Sequence, residues 1–231
     1  MIAAELLLPA SLWLGWLSYA LVLLWALWRA PWVELFSDQR RQHLLFGTML
    51  ALFLFWLVRR DFASGLSFHF IGMTAVTLLL DWPLALLCGF AAQLGLLALG
   101  RLDWAALGVN GLLLVAVPVA IAETFAVLVE RRQPRNLFVY IFCCGFFPAA
   151  LTALVCLLGG LGLLWHDGLY VMPPWLEDFI GYLWLVMFPE AFINGMLITG
   201  LVVFYPDWLE TFNRTRYLAA PWKGDDTDRR P

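Results

Sequence analysis

Charged residues interrupt this chain at intervals close to the thickness of a lipid bilayer. Residues 6–28 contain no charge over 23 positions, 42–58 over 17, 62–80 and 82–100 over 19 each, 104–122 over 19 and 136–165 over 30; residues 179–205 are broken only by Glu190. A spanning helix needs about 20 predominantly apolar residues. Seven windows of this kind predict an all-α integral membrane protein of about seven transmembrane helices. Composition agrees, because only 13% of the residues are charged and 63% are hydrophobic, where a soluble domain carries about 25% charged residues to cover its surface. A water-soluble globule is excluded. With 14 Lys+Arg against 17 Asp+Glu, no basic surface for nucleic acid is present.

Positive charge predicts the orientation. With the N-terminus outside, seven spans place on the inner side Arg29, Arg40, Arg41, Arg131, Arg132, Arg135, Arg214, Arg216, Lys223, Arg229 and Arg230, and on the outer side only Arg59, Arg60 and Arg101. That asymmetry predicts an N-out, C-in protein of the plasma (inner) membrane. Trp28, Trp32, Trp82, Trp104, Trp165, Trp175 and Trp208 fall at span ends, as interfacial aromatics do. Residues 1–207 form one transmembrane domain, and 208–231 read as a polar cytoplasmic tail. The first span lacks the basic leader and short apolar run of a signal peptide. Cys88, Cys143, Cys144 and Cys156 lie in apolar runs without metal or redox spacing.

Polar groups inside a bilayer are expensive and mark sites or pathways. At about 1.5 Å per residue, His69 lies roughly 12 Å below the outer face, Gln93 roughly 10 Å and Asn110 roughly 9 Å. Glu190 and Asn194 lie deeper, one helical turn apart on one face. The small polar stretch Ala63-Ser64-Gly65-Leu66-Ser67 ahead of His69 predicts a broken or re-entrant approach to its helix, tolerated only where the backbone is buried in protein or lines a cavity. His69, Gln93 and Asn110 are therefore expected to face a common interior. Asn and Gln also serve simply to bond neighbouring spans, and Glu190 follows Pro189, where a kink frees a carbonyl. No phosphate-binding loop is present, nor an HExxH, a GxSxG or a dinucleotide fingerprint. No nucleophile–base pair is visible, so no enzyme is expected.

The order and spacing of these motifs resemble the substrate-capture membrane subunit of cobalt/nickel energy-coupling-factor transporters, the CbiM family. The matching elements are Ser67-Phe68-His69, the turn Asp81-Trp82-Pro83, Gln93, and Leu107-Gly108-Val109-Asn110, with Leu8-Pro9 and Trp13 opening the first span and Asn194-Gly195 to Val203 in the last. The resemblance implies a permease with no tightly bound cofactor, Co(II) or Ni(II) as transported substrate, and, as partners, a transmembrane coupling subunit and cytoplasmic ATPase subunits in the membrane lipid. It implies metal ligation by the amine of Met1, the second residue and His69, with Gln93, Asn110, Glu190 and Asn194 lining the substrate cavity. The chain departs from the pattern at Ile2, where the family has a His; at Asn194, where a Glu is expected; and at Met187, where a His is expected. Amine, amide and imidazole nitrogens suit Ni(II) or Co(II), here with one donor fewer. Five extended residues reach about 17 Å, enough to bring Met1 to the level of His69. Two other readings stay open from sequence: a non-transporting scaffold or assembly protein of the same fold, and capture of a non-metal substrate.

Overall fold

The computed structural model describes residues 1–61, 67–168 and 183–218. The predicted irregular stretch 63–66, Trp175 and the end of the tail from residue 219 lie outside the described residues.

After a short 3₁₀ turn at Ala4–Leu6, the chain runs through α1 (Pro9–Arg29), α2 (Trp32–Ser37) and α3 (Gln39–Leu57), then through the two-residue strands β1 (Arg60–Asp61) and β2 (Ser67–Phe68). These strands pair antiparallel, Arg60 opposite Phe68. Then follow α4 (Met73–Leu80), α5 (Trp82–Ala98), α6 (Trp104–Gly111) running on into α7 (Val117–Arg132), α8 (Leu137–Tyr140) running on into α9 (Phe147–His166), α10 (Leu183–Phe204) and α11 (Arg214–Leu218).

Among the described residues, four stretches are long and apolar enough to cross a bilayer: Pro9–Arg29, Trp104–Arg132, Leu137–His166 and Met187–Phe204. Helix α5 is shorter and equally apolar, and α3 carries Arg40 and Arg41 inside its first turn. The window 62–80 departs from the expected continuous helix. Only its last eight described residues are helical, about 12 Å of rise against a hydrocarbon core of about 30 Å. Of its other described residues, Ser67–Phe68 form a hairpin strand and 69–72 have no regular secondary structure.

Helix α1 shows how lipid replaces water as the outer solvent. Ser11, Gly15, Tyr19, Leu23 and Ala26 form its buried stripe, the four-residue spacing of one helical face. Trp13, Leu14, Leu17, Leu21 and Leu24 are more than half exposed, a ridge that would aggregate in water and is solvated by acyl chains. The buried stripe packs on α6 so closely that a Cβ on Gly108 would stand 2.6 Å from the Trp16 backbone. Small residues permit this backbone-to-backbone contact, a recurrent device of membrane helices.

Two of the long helices contain a π-helical turn, Leu112–Ala116 and Ile141–Phe146, and each is followed within two residues by a proline, Pro118 and Pro148. Proline has no N–H to donate and its ring crowds the carbonyl one turn back. Widening the preceding turn relieves both effects without breaking the span. Within the first such turn the Leu113 carbonyl accepts a bond from the Cys156 thiol at 2.8 Å.

Long-range contacts sort into two ends. At one end, the N-terminus meets Ser67, Trp16 donates to the Trp104 carbonyl, and Leu8 and Ser11 meet Asp167. At the other, Arg41 bridges Glu34 and Glu210, Arg216 grips Glu130 with two bonds of 2.7 Å, and Thr211 donates to the Leu78 carbonyl. The segment expected as tail begins at this second end, where Leu209, Phe212 and Tyr217 are buried against Tyr140, Ile198 and Val202.

Candidate functional site

Pro9 starts α1 at a position where a missing N–H costs nothing, and the eight residues before it fold back along the helices. The Met1 amine donates to the Ser67 carbonyl at 2.6 Å, and the Ser67 N–H donates to the Met1 carbonyl at 2.9 Å. Next to this pair, Ile2 is held by one side chain: its N–H donates to Asn110 Oδ1 at 2.8 Å and its carbonyl accepts from Asn110 Nδ2 at 2.9 Å. The same amide donates to the Ala106 carbonyl. The Ile2 side chain is buried with Leu7, Val109 and Leu164. Position 2, which the resemblance would give to an imidazole, is thus a hydrophobic plug. Met1 Sδ lies 3.5 Å from an Arg59 guanidinium nitrogen.

His69 follows β2 in the segment that leads to α4. It is buried, its Nδ1 is 2.8 Å from the Phe70 carbonyl, and its ring centroid is 5.3 Å from that of Trp56. Trp56, fully buried on α3, donates its indole N–H to the Ile71 carbonyl at 2.9 Å, and Phe55 stacks on Phe70. The segment is therefore lined on one side by the aromatic end of α3.

Its other side is bonded by α10. Glu190 accepts from the Ile71 N–H at 2.8 Å and from the Gly72 N–H at 2.7 Å, one carboxylate oxygen each. Asn194, one turn on, accepts from the Ala75 N–H at 3.0 Å and donates to the Glu190 carboxylate at 2.9 Å. A helix leaves its first N–H groups without internal partners, and in hydrocarbon each such group costs several kcal/mol. Glu190 and Asn194 supply those partners from another helix, and the carboxylate complements the positive end of the α4 dipole. Gly72 makes the turn possible by adopting φ +68°, a left-handed conformation that suits glycine.

Gln93 is also fully buried, and its partners are Tyr19, whose hydroxyl donates to Oε1 at 3.0 Å, and the Leu107 carbonyl at 3.5 Å. It joins α1, α5 and α6. His69, Gln93 and Asn110 are all buried in protein, each with partners of its own. The structure brings Met1, Asn110 and the segment carrying His69 to one place. Glu190 and Asn194 meet that segment from the opposite side, and Gln93 has its own partners. Sequence reasoning did not find Tyr19, Trp56 or Asp167. A buried Trp or Tyr needs a partner for its polar atom, which was the available signal for the first two.

Among the described residues, no three His, Cys, Asp or Glu side chains come together as a metal cage. The donors gathered at this end are nitrogens: the Met1 amine, the Ile2 amide and the His69 imidazole. Both main-chain nitrogens here donate hydrogen bonds into the protein. The other polar contacts of the site hold main chain in place or, as between Tyr19 and Gln93 and between Asn194 and Glu190, join one side chain to another.

Buried polar side chains that hold the N-terminal segment and the irregular segment around His69, inside a shell of apolar helices, are those of a multi-pass membrane protein. Residues 2–208 match the CbiM family, described as the cobalt uptake substrate-specific transmembrane region. The match spans nearly the whole chain, and the protein belongs to this family: it is a membrane component of cobalt uptake that confers substrate specificity. No curated protein and no solved structure matches the chain.

Proposed function

We propose that the protein is the substrate-capture subunit of an energy-coupling-factor importer of the plasma membrane, taking Co(II) or Ni(II) from the outer side. In this reading it works with a transmembrane coupling subunit and cytoplasmic ATPase subunits, because the chain has no phosphate-binding loop of its own. The observation that carries the reading is the bonding of Met1 to Ser67, two residues from His69. It keeps the terminal amine beside the segment that bears the imidazole. Met1 and His69 are the metal donors in this proposal, with Asn110 positioning the strand, Glu190 and Asn194 supporting the His69 segment, and Gln93 joining the surrounding helices. Amine and imidazole bind metal only after losing their protons, so affinity falls as the pH drops from about 8 to 6.

One observation favours a second reading. Ile2 occupies position 2 as a buried apolar plug, and its N–H is already bonded to Asn110. That arrangement suits a scaffold of the same fold that no longer carries metal. Calorimetry with Co(II) and Ni(II) on the wild type, Ile2→His and His69→Ala separates the two. Capture predicts measurable binding by the wild type, tighter binding by Ile2→His and loss in His69→Ala. Absence of binding in both the wild type and Ile2→His overturns the metal reading and leaves the scaffold or a non-metal substrate.

A further inference from the structure

A cavity of about 460 Å³ opens at the end of the molecule opposite the N-terminus, where α10 gives way to the following segment. Its polar wall is made by Arg40 and Arg214, which converge from opposite ends of the sequence on one residue. Arg40 donates to the Asp207 carbonyl at 3.0 Å, and Arg214 pairs with the Asp207 carboxylate at 3.2 Å. Two guanidiniums and one carboxylate make up the charged lining, and outside it Arg40 Nε also lies 3.8 Å from Asp38 Oδ2. The Arg40 side chain is 49% exposed and that of Arg214 64%. A guanidinium has five N–H donors, and the contacts of these two among the described residues use a minority of them.

The remaining wall is apolar and continues onto the lipid-facing surface. Leu137 lines it from α8, and Val203 and Phe204, 63% and 75% exposed, line it from the last turn of α10. Tyr205 and Trp208, also in the lining, stack at 4.2 Å, the kind of aromatic pair that sits at headgroup level. A soluble anion would use the arginines and leave the apolar wall idle. A purely apolar ligand would leave the arginines idle. One ligand class satisfies both halves at once: an anionic phospholipid, its phosphodiester on the guanidiniums and its acyl chain along Val203 and Phe204. Basic pockets at the inner edge of membrane helices select such headgroups, and planar guanidinium forks suit phosphate geometry.

We propose that this cavity is a binding site for an anionic phospholipid such as phosphatidylglycerol. The test is native mass spectrometry of the full chain in detergent, titrated with phosphatidylglycerol or phosphatidylcholine of the same acyl chains. Each basic residue near a headgroup contributes enough that removing two lowers affinity about thirtyfold. The expected result is preferential retention of phosphatidylglycerol, lost about thirtyfold in Arg40→Gln/Arg214→Gln and kept in Arg101→Gln at the other end. Asp207→Asn, which removes the competing carboxylate, is expected to bind phosphatidylglycerol more tightly than the wild type. Equal binding of the two lipids, or unchanged phosphatidylglycerol binding in the double variant, overturns the proposal. Displacement of the lipid by an equal concentration of glycerol phosphate also overturns it, because the site would then read a soluble anion. Should the double variant fail to fold, the two-lipid comparison on the wild type and the Asp207→Asn result decide the question.

Discussion

Asn110 reads the backbone of Ile2 as a neighbouring β-strand would, accepting from its N–H at 2.8 Å and donating to its carbonyl at 2.9 Å across 108 residues of sequence. The N-terminal segment is thereby ordered by a side chain on a helix. Asn110→Leu leaves both Ile2 groups buried without their partner, and an unsatisfied buried group costs roughly 1–3 kcal/mol. The expected outcome is destabilisation on the order of 2–4 kcal/mol by thermal unfolding in detergent, together with faster hydrogen exchange at Ile2. An unchanged exchange rate would show that the strand is held by other means.

Glu190 faces two N–H groups with one oxygen each. Glu190→Ala removes both acceptors and is expected to cost on the order of 3 kcal/mol, more than Glu190→Gln, which keeps one oxygen. Because the loss falls on the segment after His69, exchange at Ile71 and Gly72 should rise before that of α1 or α6. Equal stability of the Ala and Gln variants would count against the capping role.

Asp167, just beyond the end of α9, is enclosed and accepts bonds from Ser11, His166 and the Leu8 N–H. Burial alone would raise its pKa; the bonds from Ser11, His166 and Leu8 together outweigh it and hold the carboxyl below the usual carboxylate range. A group with a depressed folded-state pKa stabilises fully above its unfolded value, about 3.9, and the contribution is lost as the pH falls through the folded value. Asp167→Asn should therefore melt below the wild type at pH 7, with the gap closing below about pH 4. A gap that stays constant down to pH 2.5 would refute the assignment.

Orientation has a direct readout. Asp103 lies just ahead of α6 at the N-terminal end and Arg135 beyond α7 at the other, both exposed. A membrane-impermeant thiol reagent applied to intact cells is expected to label Asp103→Cys and spare Arg135→Cys until the cells are opened. Labelling of both in intact cells would contradict an N-out protein whose two ends lie on opposite sides.

Where lipid forbids charge the windows were legible as helices: residues 82–100 became Trp82–Ala98, and 136–165 became Leu137–His166. Window 62–80 was not legible as structure, because absence of charge says that a segment is buried and says nothing about whether it is helical. There the N–H groups of Ile71 and Gly72 are satisfied by Glu190 from a helix more than a hundred residues later, a tertiary fact with no local signature. The cost of polar groups in lipid predicted that His69, Gln93 and Asn110 would lie inside protein, and the three are buried. The depth count could not tell which of them would meet, since depth fixes one coordinate and the helix arrangement fixes the other two. Pro118 and Pro148 were visible inside their spans, yet the widened turns that precede them, Leu112–Ala116 and Ile141–Phe146, carry no signature in the charge pattern.

The partners of the N-terminal segment become available one after another during synthesis. Met1, Ile2 and Leu8 are made first, and their partners Ser67, Asn110 and Asp167 emerge successively later. At about 5–20 residues per second of synthesis, Asp167 follows Leu8 by roughly 10 to 30 s. During that interval the Leu8 N–H and the Ser11 hydroxyl lack the carboxylate that accepts from both in the folded chain. Seating of this segment is thus complete only once Asp167 has emerged beyond α9, after Ser67 and Asn110 have become available to Met1 and Ile2.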